Sequence, residues 1–129
     1  MKIEFTYSAL PVKVEINEGV NYTLDDSGSG KTLFFTIFND YCKTNNITCI
    51  LCNSHNINTE EDIIDICRKY SVVLFDNADL YVTKHVIEEL TKSCKYIILS
   101  LKNMLGLGLD TATDIDINYG ETLEVSIIG

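Results

Sequence analysis

The chain has 129 residues, room for one domain (1–129) and not two, and its 46% hydrophobic content supplies a core and excludes general disorder. Ten Lys and Arg stand against nineteen Asp and Glu, and the resulting formal charge of −9 repels phosphate backbones, so direct nucleic-acid binding is not expected. The opening MKIEFTYSAL alternates polar and apolar residues instead of forming a signal-peptide core, and no apolar run approaches the roughly 18 residues of a membrane span. The five cysteines sit in apolar surroundings without the dense spacing of a secreted scaffold. They read as reduced core thiols of a cytoplasmic protein without membrane insertion.

In chain order, Lys2–Tyr7 and 12–16 alternate like half-buried strands, with Pro11 between them. Asn17-Glu18-Gly19 reads as a turn and 20–24 as a third strand. A loop without any apolar residue, 25–30, leads into a helix from Lys31 to about Lys43. Phe34, Ile37, Phe38 and Tyr41 form its stripe, and Leu33, Phe35 and Cys42 widen it, so burial on more than one side is expected. Residues 47–52 form a buried strand. Thr59 then caps a helix whose first turn is acidic and whose stripe is Ile63, Ile66, Cys67 and Tyr70. A strand over 71–75, a helix over 83–94 and a strand over Tyr96–Leu101 follow, then a turn around Gly106 and Gly108. Two further strands fall at 114–118 and 122–128. Short apolar strands alternating with helices predict an α/β fold: three-layer α/β/α, with a mainly parallel central sheet and antiparallel strands at the termini.

The loop carries the chemistry. The phosphate-binding pattern G-x-x-x-x-G-K-[ST] reads D-D-S-G-S-G-K-T here, residues 25–32, with a strand before it and a helix after it. Small residues let the backbone N–H groups of Gly28, Ser29, Gly30, Lys31 and Thr32 turn inward around a polyphosphate, with Ser27 opening the run. The helix N-terminus adds its positive dipole end. Lys31 is placed to reach the terminal phosphates, and the Thr32 hydroxyl to bind Mg²⁺.

On these residues the chain resembles the P-loop NTPase superfamily. Val72-Val73-Leu74-Phe75-Asp76 has the form of a Walker B strand, and the resemblance implies that Asp76 holds Mg²⁺ through water. Ser100, at the end of a later strand, takes the place of a polar sensor residue, ahead of Lys102 and Asn103. The strand at 47–52 intervenes between the P-loop helix and the Walker B strand. This is similar to the branch of ABC, AAA+ and RecA-like ATPases, which has an added strand between the two. The lead-in before the loop looks most like that of ABC-type domains.

The departures are specific. Asp25 stands where the family has its first Gly, and Asp26 adds a second carboxylate. Asn77 replaces the usual Glu after the Walker B Asp; an amide holds a water but cannot take its proton. Asp79 is the substitute within reach. No ABC signature run is present, and the one arginine, Arg68, reads as part of a solvated helix face. The resemblance thus implies ATP, or another purine triphosphate, bound with Mg²⁺. Hydrolysis is expected to be weak or to depend on a protein partner or oligomer. A non-catalytic interaction or regulatory module on the same fold is the alternative, and a small-molecule kinase ranks last. Cys49-x-x-Cys52 with His55 suggests zinc, but two cysteines at that spacing in a strand point to opposite faces. His85 reads as a surface residue without a visible partner.

Overall fold

The computed structural model describes residues 1–24, 30–53, 59–104 and 106–128. The alternating opening folds into a hairpin of β1 (Lys2–Tyr7) and β2 (Leu10–Glu15), paired antiparallel from Lys2↔Glu15 to Tyr7↔Leu10. Its two-residue turn holds Ser8 at φ 46° and Ala9 at φ 70°, the positive-φ pair that matches the strand twist of a tight hairpin. Pro11 therefore lies inside β2 and not between the strands. It precedes the stretch, beginning at Val12, that pairs with β8.

β3 (Gly19–Leu24) precedes the polar loop, and α1 (Lys31–Thr44) follows it. β4 (Cys49–Cys52), α2 (Glu60–Cys67), β5 (Val72–Phe75), a 3-10 turn (Ala78–Leu80), α3 (Lys84–Leu90) and β6 (Tyr96–Leu101) complete the α/β run. β7 (Thr113–Tyr119) and β8 (Leu123–Ile127) close the chain as an antiparallel hairpin. Among the described residues the strands form one mixed sheet of eight, ordered β1-β2-β8-β7-β3-β6-β5-β4. The five strands β7, β3, β6, β5 and β4 run parallel, and the two hairpins join each other through the parallel β2–β8 pair. The terminal strands thus extend the sheet.

The strand that intervenes in sequence, β4, lies at the edge of the sheet; the strand that separates β3 from β5 in space is β6. Sequence order cannot reveal this, because a crossover connection can place the next strand one or two positions away.

Two apolar cores flank the sheet. Phe34, Phe35, Ile37 and Phe38 of α1 pack with Val72, Leu74 and Ile98, and with inward residues of β2, β7 and β8. Ile63, Ile64 and Cys67 of α2 and Val86, Ile87 and Leu90 of α3 pack with Val73, Phe75, Ile97 and Leu99. Alternate residues of β5 and β6 thus feed opposite cores, which is why both strands are apolar without a break. The stripe of α2 differs from expectation: Ile64 is buried and Ile66 is 44% exposed. Both isoleucines sit at helical spacing, and Ile64 is the one that joins the core shared with Val86, Ile87 and Leu90 of α3. No helix among the described residues is long and apolar enough to cross a membrane.

Candidate functional site

The carboxyl ends of β3, β4, β5 and β6 lie along one edge of the sheet. Register sets a row of polar residues across that edge. Thr23 of β3 pairs with Ser100 of β6. Phe75 pairs with Leu99, so Asp76, the next residue, stands opposite Ser100. Cys52 pairs with Phe75, which brings Asn53 beside Asp76. Leu74 and Ile98 face the α1 core, so the two-residue alternation directs Asp76 and Ser100 to the same face. The row and the start of α1 therefore share one face and one edge.

Hydrogen bonds fix the centre of the row. Ser100 is fully buried; its Oγ donates to Asp76 Oδ1 at 2.9 Å and accepts from the Asn77 N–H at 2.9 Å. The hydroxyl proton expected to sense a phosphate is thus committed to Asp76. Asn77 adopts a left-handed backbone at φ 53°, a conformation Asn tolerates better than most residues, and this turns the chain out of β5. The Tyr81 hydroxyl lies 2.7 Å from the Asp76 carbonyl and 2.8 Å from the Cys52 carbonyl, and donates its single proton between them. Burial, and then the charges of Cys52 and Asp76, push the Tyr81 phenol far above its usual range. Sequence reasoning missed Tyr81, because a tyrosine five residues beyond a strand carries no signal of what its hydroxyl reaches.

The loop that α1 follows ends in a defined geometry. Gly30 caps the helix at φ 86°, ψ 13°, and its carbonyl accepts from the Phe34 N–H at 2.8 Å. A Cβ at Gly30 would lie 2.7 Å from the Tyr119 Cβ, so both conformation and packing require glycine. Among the described residues, no side chain caps α1, and its first turn carries no acid. By contrast, Thr59 and Thr83 cap α2 and α3 through their side chains. The N-terminus of α1, with its positive dipole end, opens on the side of the loop. Lys31 is partly buried at this start and Thr32 is exposed. Ser27, Gly28 and Ser29, with Asp25 and Asp26, lie outside the described residues, as does His55.

Asp79 is placed elsewhere. It lines a cleft of about 290 Å³ with Val82, Thr83, Lys84, Asn103, Gly106 and Leu107, toward the α3 side. A groove of about 260 Å³ over β1, β2 and β8 is lined by Lys2, Glu4, Lys13, Glu15 and Glu124; it is a charged, solvated sheet face away from the row. Arg68 is exposed and pairs with Asp65 at 2.6 Å, and His85 has a partner after all, Glu61 at 3.9 Å.

Cys49 and Cys52 feed opposite cores. Cys52 Sγ lies 3.7 Å from Cys67 Sγ as a buried thiol pair, and the hydrogen bond to Cys52, followed by burial, pushes the Cys67 thiol well up. No group of three or more His, Cys, Asp or Glu suited to a metal cage occurs among the described residues. Mg²⁺ does not ask for one, since it is commonly held by one or two carboxylates together with phosphates and water. The oxygen donors Asp76 and Thr32 fit that pattern.

No protein-family model matches the chain, and no curated protein matches it. Among solved structures, the chain is similar to a DNA replication initiation factor at 14% identity and a TM-score of 0.50, over 67% of this chain and 32% of that one. It also aligns with AMPPCP-bound DnaA from Aquifex aeolicus at 15% identity and a TM-score of 0.46, over 70% of this chain and 33% of that one. The chain thus spans about a third of the length of these neighbours. The likeness to the first concerns the fold alone, and the fold is a P-loop-like α/β arrangement.

Proposed function

We propose that the chain binds a nucleoside triphosphate, ATP or another purine nucleotide, together with Mg²⁺. The observation that carries this reading is the coincidence, on one face and one edge of the sheet, of the Asp76–Ser100 pair with the glycine-started helix that begins within the G-S-G-K-T run. Gly30, Lys31 and Thr32 would hold the β- and γ-phosphates, with Ser27, Gly28 and Ser29 completing the loop as the resemblance implies. Thr32 and Asp76 would hold the metal, which neutralises charge across the phosphates when bound. Ser100, fixed between Asp76 and the Asn77 amide, acts by orienting the carboxylate.

Hydrolysis is weak or partner-dependent in this reading. Asn77 can orient water but cannot accept its proton, and Asp79 opens on the α3-side cleft. The sole arginine is engaged with Asp65, so an activating cation would come from a protein partner. Asn77, in place of a Glu, also favours the second reading: a regulatory or interaction module on the same fold without nucleotide affinity.

Calorimetric titration with ATP and Mg²⁺, beside Lys31→Ala, separates the two. Saturable binding lost in the variant supports the nucleotide site. No binding at millimolar ATP by a folded wild-type protein rejects it.

A further inference from the structure

Tyr119 ends β7 with 55% of its surface exposed, although the strand below it is committed to the core through Ile115 and Ile117. Alternation along β7 places Tyr119 on the same sheet face as those residues, and hence on the face of α1. Its Cβ, Cγ and Cδ2 lie 2.7, 3.3 and 3.5 Å from the point where a Gly30 Cβ would stand, so the ring rises beside the phosphate loop's last glycine. The β3–β7 pairing stops at Tyr22↔Asp114, and Tyr119 lies five residues further along β7, past the part of the strand that flanks β3.

We propose that Tyr119 is the stacking platform for the nucleobase of the bound triphosphate. This rests on the nucleotide-binding reading above and deepens it. The terminal phosphates lie toward Asp76, the polyphosphate runs past Gly30 and Lys31, and the base emerges against the exposed ring. Stacking reads the π-face and not the hydrogen-bonding edge of a base. The site therefore prefers purines to pyrimidines by stacking area and discriminates little between ATP and GTP.

The chain has no tryptophan, so Tyr119→Trp installs a single indole at the site. Mg²⁺ with ATP is expected to quench its fluorescence, and Mg²⁺ with inorganic tripolyphosphate to leave it nearly unchanged. In calorimetry, Tyr119→Ala is expected to weaken ATP binding on the order of tenfold or more, as removal of a base-stacking aromatic does. Tripolyphosphate affinity should stay as in wild type, and Tyr119→Phe should bind ATP within about twofold of wild type, the π-face being kept. Circular dichroism checks that each variant is folded. If Tyr119→Ala binds ATP as wild type does while Lys31→Ala does not, the platform is refuted and the nucleotide site stands. If Tyr119→Ala weakens ATP and tripolyphosphate equally, Tyr119 shapes the loop and the platform is likewise refuted. If the wild-type protein binds neither ligand, both proposals fall.

Discussion

Gly30→Ala tests the geometry of the loop's end directly. Two costs add. An alanine at φ 86° meets the left-handed penalty of an L-residue, about 1–2 kcal/mol. Its Cβ would also lie 2.7 Å from the Tyr119 Cβ. A Cβ cannot rotate away, so either the start of α1 or the end of β7 must move, and overpacking of this kind costs about 1–3 kcal/mol. The sum, about 2–5 kcal/mol, is a large part of the 5–15 kcal/mol or so that holds a domain together. Urea denaturation of wild type, Gly30→Ala, Tyr119→Gly and the double variant forms a cycle. In the Tyr119→Gly background the contact is gone, and Gly30→Ala should cost only the backbone strain. The coupling between the two sites should therefore be about 1–3 kcal/mol. An unchanged urea midpoint for Gly30→Ala would refute the left-handed cap, and an equal cost in both backgrounds would refute the contact with Tyr119.

Three further outcomes are expected. Ser100→Ala strips Asp76 of a donor and leaves the Asn77 N–H without its acceptor, so stability should fall by about 1–3 kcal/mol in denaturant titration; a neutral substitution contradicts the buried pair. Ile64→Ala should cost about 2–4 kcal/mol as a core truncation, and Ile66→Ala less than about 1 kcal/mol as a largely exposed one. Equal costs would mean that α2 faces the sheet differently. Tyr81 has a folded pKa raised above its unfolded value near 10, so its contribution is complete below about pH 10 and is lost as the pH rises beyond it. Urea midpoints between pH 8 and 11 should fall less steeply for Tyr81→Phe than for wild type, the cysteines being common to both, and parallel curves would show that the phenol is not buried as described.

Much of the fold can be read from the residues alone, because period and punctuation are local. The runs Val72–Phe75 and Tyr96–Leu101 are apolar without a break since both of their faces are covered. Thr59 and Thr83 mark helix starts because each side chain accepts from an N–H three residues on, Asp62 and Val86 respectively. Other features had no local signal. Ser8-Ala9 is not a turn dipeptide by composition, yet hairpin twist imposes positive φ on both residues. That kept Pro11 from reading as part of a strand.

The site divides in the same way. The two candidate motifs, G-S-G-K-T and the Asp that ends an apolar strand, are legible in one dimension, because the proposed phosphate loop calls for small residues in sequence and the proposed metal ligand for a carboxylate at a strand end. Three relations exist only after folding: Asp76 with Ser100, Tyr81 with the carbonyls of Asp76 and Cys52, and Tyr119 with Gly30. Each joins residues from different elements through strand order and register, and above all through the insertion of β6 between β3 and β5. The sequence by itself determined which segments are strands and helices and which side-chain types fall in the candidate site, since those follow from short-range periodicity and residue identity. The tertiary structure alone decided which of them meet, since contacts across a sheet depend on pairing choices that no local pattern encodes.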